Sequence, residues 1–217
     1  MDKFRHIETD FRDGLGIIRF NRPDQLNAMN REMMDSIIEA LEAVVADERI
    51  HVAVITGNGR AFMAGADIKE YAAQSPEEFE DFRKKGMRLY ELIECSGIPF
   101  IAAVNGFALG GGFEIALACD FIIAADTAVF GLPEVHLGLI PGGGGVFRLF
   151  QKTGLNRVKE AVLLGQSYTA MEMNSWGVVY KVAPENELMD QVMQLAEKLK
   201  RRPAQALTAL KKMLRPV

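Results

Sequence analysis

The sequence predicts an α/β protein whose C-terminal part is helical. Short apolar stretches of strand type, such as VAVITG (52–57) and FIIAAD (121–126), alternate with longer stretches of helical periodicity. From about residue 155 onward, the helical pattern continues with no strand signal between the helices. We therefore predict an α/β core over residues 1–154 and a helical C-terminal section over residues 155–217.

The first predicted elements are a hairpin, a helix and a buried strand. Asp13-Gly14 separates two strand-like stretches within residues 4–20, and this dipeptide favours a two-residue hairpin turn. VAVITG then forms a short buried strand that ends at a glycine. Between them, residues 30–47 carry apolar side chains at helical spacing, which predicts one buried stripe. The stripe consists of Met33, Met34, Ile37, Ile38, Leu41, Val44 and Val45.

The middle of the chain continues the alternation of strands and helices. Ser75 is an N-cap candidate for a helix over residues 76–97, in which Gly86 is a weak point. PFIAAVNG (99–106) is a strand, a helix begins at about Gly111, and FIIAAD is the next strand. The C-terminal section is predicted as four helices, at residues 156–164, 169–176, 187–200 and 203–214.

Composition argues against several classes of function. The 217 residues include 25 basic and 29 acidic side chains, and this net charge of −4 argues against nucleic acid as the main partner. No stretch of about 18 apolar residues predicts a transmembrane helix, and the acidic N-terminus lacks the apolar segment of a targeting peptide. The two cysteines, Cys95 and Cys119, lack metal-ligand spacing. We expect a reduced, cytoplasmic protein without a membrane or nucleic-acid partner.

Three glycine-rich stretches carry the signals for a functional site. They are AFMAGADIKEY (61–71), NGFALGGGFE (105–114) and GLPEVHLGLIPGGGG (131–145). None matches the dinucleotide fingerprint, and the last run lacks the Lys-Ser or Lys-Thr of a phosphate-binding P-loop. Glycines also allow close backbone approach, where the exposed N–H groups at a helix start bind negative charge. We therefore expect these stretches to bind an anionic or anion-like group.

Two backbone N–H groups are candidates for an oxyanion hole. Gly111 lies near the predicted start of a helix, so its N–H has no intrahelical partner and the helix dipole is positive there. Ala66 offers a second N–H from another loop, and Asp67 is the N-cap candidate of the helix that follows. Two donors from separate loops stabilise an enolate-like oxygen. Glu114 follows within the same helical turn as Gly111, inside an otherwise apolar run.

Five motifs, taken in order along nearly the whole chain, resemble the enoyl-CoA hydratase/isomerase (crotonase) superfamily. They are NRPDQLNAMN (21–30), AFMAGADIKE (61–70), NGFALGGGFEIALACDFIIAAD (105–126), FGLPEVHLGLIPGGGG (130–145) and WGVVYKV (176–182). The resemblance implies a spiral of ββα units in the core, acyl-CoA thioester substrates and a role in fatty acid metabolism by β-oxidation. It also implies a homotrimer or homohexamer, with the C-terminal section contributing to oligomerisation. Coenzyme A is then part of the substrate, and no separate cofactor or metal is expected.

The resemblance also assigns roles to individual residues. Ala66 and Gly111 match the oxyanion-hole positions, and Glu114 and Glu134 match the two catalytic glutamates of the hydratases. The substrate and CoA path is assigned to Gln25, Leu26, Ala28, Ala64, Ala66, Asp67, Ile68, Gly111, Pro133 and Gly142. We expect an enoyl-CoA hydratase, in which Glu114 activates the water and Glu134 protonates the α carbon. Alternatively, the two glutamates act as a coupled pair, without a fixed division of these two roles.

Other interpretations of the same residues stay open. An enoyl-CoA isomerase needs only the glutamate at position 134, and a non-catalytic acyl-CoA-binding or scaffold protein needs neither; the presence of both favours hydration. Histidine side chains in general ionise near neutral pH. His136 stands within the motif at 130–145, but the family motif does not call for a histidine there, so we expect a surface or packing role. Residues 200–202 form a basic, solvated helix end, with the CoA phosphates as an alternative ligand. Family members continue beyond this C-terminus, so no CoA-binding residue is assigned there.

Overall fold

The computed structural model describes residues 4–214, which form two β-sheets and the helices that pack against them. The strands of the described chain are β1 (Ile7–Arg12), β2 (Leu15–Phe20), β3 (Val52–Gly57), β4 (Ala61–Met63), β5 (Phe100–Val104), β6 (Phe107–Leu109), β7 (Phe121–Ala125), β8 (Val129–Gly131), β9 (Ser167–Thr169) and β10 (Lys181–Ala183). The α-helices are α1 (Arg31–Ala46), α2 (Ile68–Ala72), α3 (Pro76–Glu94), α4 (Gly111–Ala118), α5 (Gly145–Thr153), α6 (Leu155–Leu164), α7 (Ala170–Ser175), α8 (Leu188–Lys200) and α9 (Ala204–Met213). Three 3-10 turns span Pro23–Gln25, Pro133–Leu137 and Glu185–Glu187.

The six-stranded sheet has the order β1-β2-β3-β5-β7-β10, and the four-stranded sheet has the order β4-β6-β8-β9. Three successive ββα units connect them, because β3, β5 and β7 lie in the first sheet while β4, β6 and β8 lie in the second. All neighbouring pairs within each of these two sets are parallel. The chain therefore winds between the two sheets as a spiral, which confirms the predicted fold class.

The predicted hairpin is confirmed at the N-terminus. Strands β1 and β2 pair in antiparallel register from Ile7 with Phe20 to Arg12 with Leu15. The two residues between them, Asp13 and Gly14, have φ angles of 51° and 76°. Positive φ at both central positions is the geometry of the turn that matches the twist of a hairpin.

The stripe predicted on α1 is confirmed with one correction. Six of its seven members are buried or partly buried, whereas Val45 is 38% exposed. Successive helical residues point about 100° apart, so Val45 turns outward beside Val44, which faces the core. Ser36 and Ala40 are buried instead, and the Ser36 hydroxyl accepts a hydrogen bond from the Arg5 N–H at 3.2 Å.

The capping signal before α3 is confirmed in detail. The Ser75 hydroxyl accepts a hydrogen bond from the Glu78 N–H, and the Glu78 carboxylate accepts one from the Ser75 N–H. This reciprocal pair satisfies two donors at the helix start. Gly86 lies inside α3 without breaking it.

The C-terminal section contains the four predicted helices, but the absence of strands from it was wrongly predicted. Strand β9 pairs with β8, and β10 adds a parallel strand beside β7, so this section completes both sheets. Each strand has three residues, too few to show an alternating pattern. Helix α5 was also missed. The boundary between residues 154 and 155 stays a prediction, and the ends of the two sections, 1–3 and 215–217, lie outside the described residues.

Helix α9 is attached to the core through a buried lysine. The Lys211 ammonium donates hydrogen bonds to the carbonyl oxygens of Ile93 at 2.9 Å and Ile98 at 2.8 Å, and it pairs with Asp120 at 2.7 Å. Asp120 also accepts a hydrogen bond from the Phe100 N–H at 2.7 Å. Asp120 thus joins α9 to the first residue of β5. Within residues 4–214, no helix has the length and apolarity needed to cross a membrane.

Candidate active site

A cavity of about 630 Å³ opens where the three ββα units meet. The loops after β4, β6 and β8 contribute to its wall, because these parallel neighbours end at the same edge of the small sheet. Eight of the sequence-predicted site residues line it: Ala64, Ala66, Ile68, Gly111, Glu114, Pro133, Glu134 and Gly142. The structure therefore brings together both predicted N–H groups and both predicted carboxyl groups.

The Ala66 N–H takes no part in the hydrogen bonds of the strand-like contact that fixes its loop. The Met29 N–H donates to the Gly65 oxygen at 2.8 Å, and the Asp67 N–H donates to the Met29 oxygen at 2.9 Å. Ala66 is the middle residue of this parallel bridge. In such a bridge the middle residue directs its own N–H away from its partner. The Ala66 N–H thus points away from Met29, in a loop that lines the cavity.

The Gly111 N–H is the second donor at this wall. Gly111 is the first residue of α4, so its N–H lacks an intrahelical acceptor, whereas the preceding Gly110 N–H donates to the Gly131 oxygen at 2.9 Å. Gly110 has a φ angle of 50°, and a Cβ atom there would lie 3.7 Å from the Gly65 Cα. The two donor loops are therefore in direct contact.

Two of the remaining predicted path residues, Leu26 and Asp67, support the donor loop from outside the cavity. Asp67 pairs with the Arg22 guanidinium at 2.8 Å, and this hydrogen bond lowers the pKa of the Asp67 carboxyl. The Asp67 carboxylate also caps α2, as predicted. The Leu26 oxygen accepts a hydrogen bond from the Ala64 N–H at 3.0 Å. Gln25, Leu26, Ala28 and Asp67 are not among the residues that line the cavity, and their place on a CoA path stays a prediction.

Glu114 is buried because three donors satisfy its carboxylate. The side chain is 3% exposed. The Gly143 N–H lies 2.9 and 3.0 Å from the two carboxylate oxygens, the Gly145 N–H donates at 2.8 Å, and the Tyr90 hydroxyl donates at 3.4 Å. Burial raises the pKa of Glu114 above its ordinary value, and the hydrogen bonds from Gly145 and Gly143 offset only part of this rise. The carboxylate in the apolar run therefore binds a loop that lies 29 residues later in the sequence.

The same contact explains two positions of the third glycine run. A Cβ atom on Gly143 would lie 2.5 Å from Glu114 Oε2 and would also collide with the Tyr90 hydroxyl. A Cβ atom on Gly145 would lie 2.7 Å from Glu114 Cγ. Gly144, between them, has a φ angle of 85°, which side chains disfavour. The run thus allows the backbone to reach the carboxylate closely enough to donate two hydrogen bonds.

The carboxyl group of Glu134 has a chemical environment unlike that of Glu114. It is on the 3-10 turn after β8, and its Oε2 atom is buried without a hydrogen-bond partner among the described residues. Burial raises the pKa of Glu134 to about 7, with a further contribution from the charge of Glu114. At neutral pH a large fraction of Glu134 is therefore protonated. The two carboxyl groups share one cavity but have different environments, which is how proteins separate an acid from a base.

Helices α2 and α3 form an apolar wall beside these polar groups. The rings of Tyr71 and Phe79 meet edge-on at 5.5 Å between centroids, and those of Tyr71 and Phe82 meet at 6.1 Å. Met34 and Met87 also line this side of the cavity. Such a wall suits an apolar group placed next to the reacting atoms.

Comparison with known proteins identifies the family. The family model described as enoyl-CoA hydratase/isomerase matches residues 10–216. The chain belongs to the enoyl-CoA hydratase/isomerase family. The 2,3-dehydroadipyl-CoA hydratase of Escherichia coli K12 is 40% identical over 200 residues, which cover 92% of this chain and 77% of that protein. The crotonyl-CoA hydratase of Syntrophomonas wolfei is 39% identical over 197 residues, which cover 90% of this chain and 76% of that protein.

Solved structures agree with this assignment to the enoyl-CoA hydratase/isomerase family. The crystal structure of an enoyl-CoA hydratase from Bacillus anthracis superposes with a TM-score of 0.92 at 35% identity. The superposition covers 96% of this chain and 81% of that one. The resemblance stated from the five sequence motifs is confirmed. Acyl-CoA thioesters are accordingly the substrate class of this family member.

Sequence reasoning missed Tyr90 as a site residue of this family member. Tyr90 lies on the buried stripe of α3, between Leu89 and Leu92, and its hydroxyl contacts Glu114. A tyrosine on an apolar stripe signals a buried hydroxyl that needs a partner, so the sequence held a clue. By contrast, His136 Nε2 lies 3.1 Å from the Gly165 oxygen, which is the packing contact expected for it.

Two further features of the described chain concern the basic stretch at 200–202 and metal binding. Lys200 pairs with Glu197 at 2.7 Å at the end of α8, and no residue of the basic stretch 200–202 lines the cavity. Among residues 4–214, no group of three or more His, Cys, Asp or Glu side chains is arranged to bind a metal ion.

Proposed function

We propose that this protein is an enoyl-CoA hydratase, a hydro-lyase that adds water across the 2,3 double bond of a 2-enoyl-CoA thioester. The supporting observation is the placement of Glu114 and Glu134 in one cavity with the N–H groups of Ala66 and Gly111. The hydratases of Escherichia coli and Syntrophomonas wolfei, at 40% and 39% identity, support the same activity.

The two N–H groups serve as the oxyanion hole in this proposal. The thioester oxygen accepts hydrogen bonds from Ala66 and Gly111, which polarise the conjugated double bond. Negative charge collects on that oxygen as water adds to the β carbon, so the donors stabilise the transition state more than the substrate. The positive end of the α4 dipole adds to this stabilisation.

The two glutamates divide the proton transfers. Glu114, whose carboxylate has three hydrogen-bond donors, accepts a proton from the water as the oxygen bonds to the β carbon. Glu134, whose pKa of about 7 leaves about half of it protonated at neutral pH, gives its proton to the α carbon. Transfer of the accepted proton from Glu114 to Glu134 restores the starting state. The pair therefore titrates as a unit during the cycle.

The test replaces each glutamate by an isosteric amide. Glu114→Gln and Glu134→Gln are each expected to lower the hydration rate of crotonyl-CoA by about 10²–10⁴, because each loses one proton transfer. The rate is measured by the loss of enoyl thioester absorbance. Binding of a saturated acyl-CoA, measured by calorimetry, should stay nearly unchanged. Hydration at the wild-type rate by Glu114→Gln would contradict the role of Glu114.

An enoyl-CoA isomerase is the second candidate, favoured by the unpartnered oxygen of Glu134. An isomerase moves a proton between two carbons and activates no water, so Glu134→Gln should abolish it while Glu114→Gln has little effect. Isomerisation of a 3-enoyl-CoA by both variants separates the two activities. Failure of the wild-type protein in both assays, together with acyl-CoA binding, would instead support the non-catalytic alternative.

A homotrimer or homohexamer is proposed as the assembly, supported by exposed apolar side chains beside the cavity and on the helices that follow. These are Leu137, Leu139, Ile140, Phe147, Phe150, Leu155, Leu163 and Leu164. Many exposed large apolar side chains in one part of the sequence favour association with another surface. Light scattering that gives a stable monomer at micromolar concentration would contradict the assembly. Cytoplasmic location and a role in β-oxidation stay predictions.

A further inference from the structure

A mostly buried arginine lies behind the carboxylate of Glu114. The Arg148 side chain on α5 is 12% exposed and that of Glu94 on α3 is 25% exposed. Two parallel hydrogen bonds join them, from Nε at 2.6 Å and from Nη2 at 2.7 Å. This bidentate geometry fixes the orientation of the guanidinium as well as its position. Neither residue lines the 630 Å³ cavity, so neither is placed to touch substrate.

Arg148 is connected to every donor that binds Glu114. Its Nη1 donates a hydrogen bond to the oxygen of Gly143, whose N–H binds Glu114. Gly145 is the first residue of the helix that carries Arg148. The guanidinium carbon also lies 4.7 Å from the centroid of the Tyr90 ring, whose hydroxyl is the third donor. The Arg148 side chain thus fixes both the glycine turn at residues 143–145 and the aromatic ring of Tyr90.

The charges around Glu114 make the same arginine important for its ionisation. Three titratable groups face Glu114: Tyr90 from α3, Arg148 from α5 and Glu134 from the 3-10 turn. Arg148 is the one cation among them, and Glu94 lies behind it as its counter-ion. Burial raises the pKa of Glu114, whereas the N–H groups of the glycine turn and the charge of Arg148 lower it. Removing Arg148 removes the charge directly and loosens the turn that supplies the N–H groups.

We propose that Arg148, oriented by Glu94, is a positioning residue for the water-activating carboxylate of Glu114. It anchors the turn at residues 143–145 so that two backbone N–H groups stay on the carboxylate, and it favours the charged form that accepts a proton. The inference rests on the proposed hydratase function of Glu114. It adds two residues that make no contact with substrate to the machinery of the reaction.

The test compares three variants with a matched control. Arg148→Met keeps a long side chain over the Tyr90 ring but loses the positive charge and the hydrogen-bond donors. Arg148→Lys keeps the charge but loses the bidentate geometry of the guanidinium. Glu94→Gln weakens the pair that orients the guanidinium. Arg157→Met is the control, because Arg157 also pairs with a glutamate, Glu160 at 2.9 Å, and lies 4.5 Å from an aromatic ring centroid. The kcat and KM for crotonyl-CoA are measured from pH 5 to pH 9, with thermal unfolding as the check on folding.

We expect Arg148→Met to lower kcat by roughly 10- to 100-fold while KM changes by less than about threefold, as is typical for loss of a residue that orients a reacting group. The acid limb of the kcat profile should move to higher pH, because a larger fraction of Glu114 is then protonated. Arg148→Lys and Glu94→Gln should give smaller changes in the same direction, and Arg157→Met should match the wild type.

An unchanged kcat and pH profile in folded Arg148→Met, or a rise in KM alone, would overturn the inference. If Arg148→Met does not fold, Arg148→Lys and Glu94→Gln carry the same test. An inactive wild-type protein would count against the proposed function instead. In that case infrared titration of the Glu114 carboxyl, assigned by its loss in Glu114→Gln, decides the inference. Its titration should move to higher pH in Arg148→Met, and an unmoved titration would refute the positioning role.

Discussion

Gly143→Ala tests the close approach between the third glycine run and Glu114. The added methyl carbon would lie 2.5 Å from Glu114 Oε2 and would collide with the Tyr90 hydroxyl, so the turn or the carboxylate must move. Forcing a methyl group into a packed interior costs about 1–3 kcal/mol. Displacing an N–H from a buried carboxylate costs about 1.5–3 kcal/mol more. We expect a loss of about 2.5–6 kcal/mol in the free energy of unfolding.

Thermal unfolding gives the measurement and the controls. For a chain of this size, such a loss lowers Tm by roughly 5–24 °C. Gly142→Ala is the matched control for stability, because a Cβ atom on Gly142 would meet nothing within 4 Å. The double variant Gly143→Ala/Tyr90→Phe should recover part of the loss, since it removes the hydroxyl that the methyl group meets. Equal Tm values for Gly142→Ala and Gly143→Ala would refute the reasoning.

Three more outcomes are expected. The kcat/KM for hydration should fall as pH rises through about 7, because Glu134 must be protonated to act as an acid. Burial raises the pKa of Glu134 to about 7. A flat profile from pH 6 to pH 8 would contradict this expectation. Ala66→Pro deletes one oxyanion-hole donor and should slow hydration by about 10²–10³ in folded protein. Lys211→Met should lower Tm by roughly 6–12 °C, because it leaves the carboxylate of Asp120 without its cation at a cost of about 3 kcal/mol. The double variant Lys211→Met/Asp120→Asn should recover part of the lost Tm.

The site was predictable from sequence where its groups lie on local motifs. Gly111 and Glu114 share a helix start, and Ala66 precedes a helix cap, so short patterns revealed them. The partners of Glu114 were not predictable in this way. Gly143 and Gly145 meet Glu114 only after the chain has passed through β7, β8 and a 3-10 turn, and the spacing of 29 residues or more carries no local signal. The glycine run itself was visible, but the group that it approaches was not.

The fold was predictable at the level of class and less so at the level of individual strands. Strands β3, β5 and β7 have five or six residues that are mostly apolar and mostly buried, which gives a clear signal. Their companions β4, β6 and β8 have three residues each, and the helices that follow range from 5 to 19 residues in length. A unit of such variable length produces no fixed period. The repetition therefore exists in space without a matching repeat in the sequence.

The order β4-β6-β8 has a consequence for how this scaffold diversifies. Adjacent strands of a sheet are about 4.8 Å apart, so the backbone sets the lateral pitch between the loops that carry Ala66, Gly111 and Glu134. Each loop can lengthen or exchange residues without altering the pitch of the other two. A substitution in the loop after β8 can replace Glu134, the proposed proton donor, while the N–H groups of Ala66 and Gly111 stay in place. The architecture behaves as a set of interchangeable modules, in which one module can acquire new chemistry while its neighbours keep the two N–H groups that we propose polarise a thioester.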